Sequence, residues 1–474
     1  MTQDALYTGL ALVGALHARV SGGLPRAVTG VSIDTRSLQK GDLFVAIKGE
    51  TFDGHDFART ALAKGAAAAV VDDAHARGLS GVGPLLVVRD TLAALRSLAE
   101  FSRGRSSAYI AAITGSVGKT STKDMSRLVL SHFGETHASA ASFNNHWGAP
   151  LSLARMPAKA RYGVFELGMN HAGEIADLVG LVAPHVAIVT RVAPVHLEHF
   201  DSLEAIADAK AEVFSGLVEG GVAILNRDDE TFSRLSDAAI AAGAGHVIGF
   251  GAHDAAQARL IDYATVDDQG LVDADIFGRR ISYRIGAPGR HVALNSLAVL
   301  TMASVFDVDL DQAAATLAAF APTSGRGHRE ALTLDNGVLT VIDESYNANP
   351  TSLRAALELL GASDAGPGGR RIAVLGDMLE LGPQSAELHA ALAEDLANAR
   401  VDLLFTAGPN MARLYYAAPD KIRGAHRFTA AELEDAVLAV ARAGDVVMVK
   451  GSNGSRMSRI VAALKTKSAA AAAK

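Results

Sequence analysis

The octapeptide TGSVGKTS, Thr114–Ser121, carries the residue types that bind a polyphosphate. Gly115 and Gly118 let backbone N–H groups turn toward an anion, with Ser116 between them. Lys119 supplies a cation for β/γ-phosphates, and the Thr120 hydroxyl is of the kind that reaches Mg²⁺. The loop follows the apolar strand YIAAIT at Tyr109–Thr114 and opens a helix expected from near Ser121. That helix start adds a field favourable to anions. One position departs from the usual phosphate-loop pattern: Ile113 stands five before Gly118, where the pattern has Gly.

Three more residues could act beside such a loop. Glu166 ends the strand GVFEL, His196 lies in the loop APVHLEHF after the strand HVAIVT, and Lys210 falls in the helix LEAIADAKAEVF. Taken singly, a strand-end acid, a loop imidazole and a helical lysine are ordinary solvated residues. Their placement on the edge of a sheet that already carries a phosphate loop makes them candidates for metal and charge chemistry. Two loops dense in amides, SFNNHWGAPLSL (Ser142–Leu153) and LGMNHAGEI (Leu167–Ile175), offer groups for sugar, amide or phosphate oxygens, although Asn and Gly also serve turns alone. Further on, DESYNANPTS, LGDMLELG and VKGSNGSRM each follow an apolar strand, so all three are expected to line one cleft.

These loops need α/β scaffolds, and the chain is long enough for several. It has 474 residues, 49% hydrophobic and 20% charged, which excludes a disordered chain. Strands and helices alternate through three stretches, with breaks at RGRSS (Arg103–Ser107), read as a linker, and PTSGRG (Pro322–Gly327). The expectation is three α/β domains: 1–106, 107–321 with a mostly parallel sheet, and a Rossmann-like 322–474. Residues Ala258–Ile285 read as an antiparallel excursion, Asn336-Gly337 as a hairpin turn, and the tail KSAAAAAK as frayed. Lys plus Arg number 44 against 51 Asp plus Glu, so the net charge of -7 argues against a sequence-independent nucleic-acid binder. Cysteine is absent, which removes disulfides, thiolate metal sites and Cys nucleophiles. No apolar run approaches the roughly 18 residues of a membrane span, and the N-terminus lacks the basic start of a signal peptide, so a cytoplasmic protein without membrane insertion is expected.

The motif set resembles the ATP-dependent Mur ligases over nearly the whole chain. The matching segments include SIDTRSLQKGDLFVAIKGETFDGHDF, ITGSVGKTSTK, FNNHWGAPLSL, ELGMNHAGEI, VAPVHLEHF, AKAEVF, PGRHVALNSLA, SYNANPTSL, LGDMLELG and VKGS. The phosphate loop is common to all Mur ligases and to folylpolyglutamate synthases. SYNANP and GDMLELG are particular to the members that add D-alanyl-D-alanine to UDP-N-acetylmuramoyl-tripeptide. The resemblance implies that ATP activates the tripeptide carboxylate as an acyl phosphate, which the dipeptide amine then attacks, during cytoplasmic peptidoglycan precursor synthesis by a monomer. It implies an N-terminal domain for the UDP end, a central ATPase domain and a C-terminal domain that closes over the site.

Carried over by position, Thr114, Gly115, Ser116, Gly118, Lys119, Thr120, Ser121, Asn295 and Arg326 would contact ATP. Thr120, Glu166, His196 and a carbamylated Lys210 would hold Mg²⁺, with Lys119, Glu166, His196 and Lys210 as the catalytic set. Ser32 and Arg36 would receive the uridine portion, Asn144 and Asn145 would approach the substrate, and Asn347 and Asn349 would meet the nucleotide and the incoming amine. Two departures stand out: HVALN at His291–Asn295 puts Val292 where relatives usually have an adenine-side Asn, and Asp343-Glu344 stands where many carry two aspartates. Other amide ligases of the superfamily, and a nucleotide-hydrolysing switch, share the phosphate loop. The chain has no NKxD-type guanine motif for the switch.

Overall fold

The computed structural model describes residues 5–140, 143–195 and 197–472. Three large sheets form in chain order, beside a small antiparallel pair of Tyr7–Thr8 with Ala27–Val28. The first has five strands ordered Arg19–Ser21, Leu85–Val88, Ala68–Asp72, Asp42–Val45 and Gly30–Ser32, all parallel except the first pair. Its central strands are mostly apolar because both faces are covered: Leu43 and Val45 enter one core, Phe44 and Ala46 the other.

The second sheet has nine strands. Thr136–Ala138, Tyr162–Glu166, Tyr109–Thr114, Val186–Val189, Val222–Asn226 and His246–Gly251 run parallel. Ala258–Val266, Gln269–Ile276 and Arg279–Ile285 then form the expected antiparallel excursion. The strand Tyr109–Thr114 lies between Tyr162–Glu166 and Val186–Val189, where the chain switches the direction in which it adds strands. A crevice outside the carboxyl ends of the strands at such a point is where open α/β sheets bind ligands. The third sheet has six strands, parallel but for the hairpin His328–Leu334/Gly337–Glu344, whose turn contains Asn336. Together they make a three-domain α/β fold.

Two expectations need correction. RGRSS is no slack linker. Arg103 closes the helix Thr91–Gly104 and donates to the carbonyls of Val182 and Ala183. Arg105 donates to Leu6 O and Met156 O and stacks on Tyr7 at 4.1 Å. Polar composition suggested a linker; the arginine donors find carbonyls on both sides of the seam. Nor is the described part of the tail frayed: the last helix runs Ser458–Ala472, and 473–474 lie outside the described residues. Alanine is the strongest helix former, and Lys467 and Ser468 tie the helix to Leu438 O, Ala441 O and Thr333 O.

Asp53, His55 and His75 also cluster in the first domain. Both His55 nitrogens are occupied, Nδ1 by Asp53 at 2.6 Å and Nε2 by the Asp72 N–H at 3.1 Å, so the group fastens a turn. Among the described residues no helix is long and apolar enough to cross a membrane.

Candidate active site

The phosphate loop is shaped by its neighbours. Gly115 has φ +145°, and a Cβ there would stand 2.0 Å from Thr190 Oγ1. Gly118, at φ +88°, is the N-cap of the helix Lys119–Ser131, and a Cβ there would stand 2.7 Å from Asn295 Nδ2. Two glycines are therefore needed for both conformation and space. The left-handed cap starts the helix at Lys119, two residues before the expected start, so Lys119, Thr120 and Ser121 all lie in its first turn. Their N–H groups are among those a helix leaves without internal partners.

Ser116 behaves differently from a ligand side chain. Its N–H donates to Arg191 O at 2.7 Å, and its hydroxyl donates to Ala193 O at 3.0 Å and accepts from Ala193 N at 2.9 Å. The Thr190 hydroxyl donates to Val117 O at 2.6 Å, and Asp229 accepts from Val192 N at 2.6 Å. The phosphate loop and the segment leading to His196 are thus laced together. His196 itself lies outside the described residues. Thr190 and Asp229 were missed by the sequence reading; the polar residue closing HVAIVT and the acidic pair in NRDD were the available signals.

Glu166, 1% exposed, stands beside the loop: Thr120 Oγ1 donates to its Oε2 at 2.8 Å, and Asn144 Nδ2 donates to Oε1 at 2.8 Å. Asn145 instead accepts from Gly148 N at 2.9 Å at the start of the helix Gly148–Ala154. The Lys119 ammonium donates to Gly115 O at 2.5 Å. Burial lowers its pKa, Glu166 opposes that shift, and the nearby Arg326 guanidinium adds to it. Lys210 is 3% exposed, and its pKa falls well below the ordinary lysine value through burial and then through repulsion by Lys119. No hydrogen bond or ion pair to Lys210 occurs among the described residues.

The three loops of the third domain meet as expected. Lys450 Nζ donates to Glu344 Oε2 and Asn347 O, both at 3.0 Å. Ser452 Oγ donates to Ala348 O at 3.2 Å and accepts from Leu379 N at 2.9 Å. VKGS therefore holds DESYNANPTS and LGDMLELG together. Asn349 uses its side chain to cap the helix Pro350–Ala362, whereas Asn347 is exposed. Ser32 and Arg36 belong to the first domain: Ser32 is buried in a turn with Asp34, and Arg36 is exposed and paired with Asp34 at 2.6 Å. Val292 is buried in the central core and offers no polar contact. A cavity of about 900 Å³, lined in part by Thr29, Asp42, Arg105, Phe143 and Arg155, opens at the seam of the first two domains. The phosphate-loop residues are not among those lining it.

Family models match in chain order: the Mur ligase catalytic domain over 27–101, the Mur ligase middle domain over 113–303, and the Mur ligase glutamate ligase domain over 328–453. The UDP-N-acetylmuramoyl-tripeptide–D-alanyl-D-alanine ligase of Escherichia coli is 36% identical over 450 residues, 94% of this chain and 95% of that protein. This chain belongs to the Mur ligase family. The Rickettsia prowazekii ligase of the same name is 33% identical over 431 residues, 91% of this chain and 94% of its own. The crystal structure of MurF from Acinetobacter baumannii superposes with a TM-score of 0.83 at 28% identity, covering 97% of this chain and 99% of that one. Within this Mur ligase fold, the phosphate loop, Glu166 and Lys210 belong to the central α/β unit, and Arg326 comes near Lys119 from the linker to the third domain.

Proposed function

We propose that this Mur ligase joins D-alanyl-D-alanine to UDP-N-acetylmuramoyl-tripeptide at the expense of ATP, as a cytoplasmic monomer. The observation that carries this reading is the convergence of Lys119, Thr120, Glu166 and the buried Lys210 at the switch point of the central sheet. The likeness to ligases of that name over nearly the whole chain supports the choice of substrates.

Amide formation needs an activated carboxylate. Transfer of a phosphoryl group from ATP to the tripeptide carboxylate brings two anions together, so catalysis rests on positioning and charge neutralisation. Lys119 and Arg326 supply fixed positive charge, and the first-turn N–H groups of Lys119–Ser131 orient the phosphates. The donor set fits Mg²⁺: the Thr120 hydroxyl and Glu166 carboxylate are hard oxygen ligands 2.8 Å apart. When bound, Mg²⁺ would neutralise the phosphate oxygens, held by Thr120, Glu166, His196 and Lys210 as its carbamate. Lys210 suits that modification, because burial beside Lys119 favours the neutral amine that attacks CO₂. The resulting carbamate is anionic and turns repulsion by Lys119 into attraction. The third-domain loops around Asn347 exclude water from the acyl phosphate until the dipeptide amine attacks it and phosphate leaves.

Phosphate release by the purified protein tests this, with ATP, UDP-N-acetylmuramoyl-tripeptide and D-alanyl-D-alanine each omitted in turn. Release is expected only when all three are present, and Lys119→Ala should fold normally yet lose ligation. Release without either peptide substrate, or full activity in Lys119→Ala, would overturn the reading.

A further inference from the structure

The linker between the second and third domains is held by one carboxylate. Asp343, 4% exposed at the end of the strand Gly337–Glu344, accepts four hydrogen bonds. Its Oδ2 takes Ser324 Oγ at 2.7 Å and Gly325 N at 2.8 Å; its Oδ1 takes Ser345 Oγ at 2.6 Å and Ser345 N at 3.1 Å. The backbone continues the attachment, with Gly327 N donating to Asp343 O at 2.9 Å and Tyr346 N to Gly325 O at 3.1 Å. Gly325 adopts φ +80°, and a Cβ there would stand 2.9 Å from Tyr346 Cβ, so the linker presses directly onto the DESYNANP loop. Arg326 then lays its guanidinium over the Tyr346 ring at 4.1 Å, while lying close enough to Lys119 to depress its pKa. On the other side, Phe320 is buried in the central core.

We propose that Asp343 is a positioning residue for Arg326, fixing Ser324–Gly327 to the third domain so that Arg326 meets the nucleotide phosphates at one angle set by the third domain's docking. The proposal rests on the reading that Arg326 contacts ATP. Both oxygens of Asp343 are taken by protein donors. Its carboxylate satisfies donors from the linker on one oxygen and from the SYNANP loop on the other, coupling the two segments through a group that only accepts. The pivot of the third domain is then confined to Ala321, Pro322 and Thr323, between the buried Phe320 and the clamped Ser324. A carboxamide at 343 would turn an NH₂ toward one of those donor pairs, which an acceptor-only carboxylate never does.

Steady-state kinetics of Asp343→Asn, Arg326→Ala and the double variant test this. Asp343→Asn should raise KM for ATP and lower kcat by about tenfold each, since small misplacements of a charge clamp are costly. The KM for UDP-N-acetylmuramoyl-tripeptide should not change. In the Arg326→Ala background the same substitution should add no further loss. Ser324→Ala, which removes one donor and leaves the core untouched, should give a smaller effect in the same direction and stands in if Asp343→Asn does not fold. A lowered melting temperature with ATP kinetics intact, or losses that multiply with those of Arg326→Ala, would overturn the clamp. Unchanged ATP kinetics in Arg326→Ala would instead overturn the reading of Arg326 and the clamp with it.

Discussion

An ammonium group that is 3% exposed with no partner among the described residues is costly to hold in its charged form, and Lys210 sits in addition beside Lys119. The folded protein relieves that cost either by leaving the amine neutral or by converting it to an anion. Both outcomes follow from the depressed pKa, and only the second gives Lys119 a counter-charge. ¹³C NMR of protein equilibrated with ¹³C-bicarbonate should therefore show one carbamate resonance that is lost in Lys210→Arg. A spectrum identical in both proteins would refute carbamylation. Lys210→Arg should also lose most ligase activity, because guanidinium remains cationic where a carboxylate-like ligand is needed. Lys119, Thr120 and Glu166 could be singled out in the sequence because they sit in the first turn of a helix or at a strand end, positions that periodicity locates, whereas Lys210, in the last turn of the helix Leu203–Ala211, carries no such positional signal. Ser116 was read as a phosphate contact, whereas its hydroxyl faces Ala193. Nothing local in TGSVGKTS announces a bond to a residue 77 positions away.

Secondary-structure elements were legible where both faces or one clear stripe are buried, as in the parallel strands and the antiparallel excursion at Ala258–Ile285. They were illegible where long-range hydrogen bonds decide, as with the contacts of Arg105 and the last turns of the final helix. His137 shows the same principle with a measurable consequence. It lies on the edge strand Thr136–Ala138, and its Nε2 faces Ser152 O at 2.7 Å. Burial, with a further push from Arg155 and an opposing contribution from Ser152, lowers its pKa from 6.5 to about 4. The fold thus favours neutral His137. Its stabilising contribution is complete above about pH 6.5 and is lost as pH falls toward about 4, a difference on the order of 2–3 kcal/mol. His137→Gln keeps a donor for Ser152 O and cannot titrate. Denaturant unfolding at pH 7 and pH 4 should show the parent losing about 2 kcal/mol more than the variant. His185, His389 and His426 also have lowered pKa values and titrate in both proteins, so they cancel in that comparison. Equal losses would remove His137 from the account.

At the scale of the molecule, the two seams are built differently. The third domain meets the central one through a short linker and loop tips, such as Gly382, where a Cβ would lie 3.4 Å from Leu197 O. The first domain is bolted. Leu151 and Ala154 of the central domain enter its core, Arg155 Nε donates to Val31 O at 2.6 Å, and Arg96 pairs with Asp177 through two 2.7 Å bonds. Tyr7 donates to Ala154 O, and Arg105 caps its ring. On the proposed reading, the first two domains would then present one rigid surface to the UDP-linked substrate, and motion in catalysis would fall to the third. Arg105→Ala tests that division. It removes two carbonyl contacts and a cation–π stack, worth about 1–3 kcal/mol together. Calorimetry should then resolve an early transition for the first domain ahead of the rest, and KM for the UDP-linked substrate should rise while KM for ATP stays fixed. Arg105→Lys should not restore either property, since an ammonium cannot reach Leu6 O and Met156 O together while lying flat on Tyr7. An unchanged calorimetric profile, or an equal rise in both KM values, would show that the first seam is not what holds the substrate surface rigid.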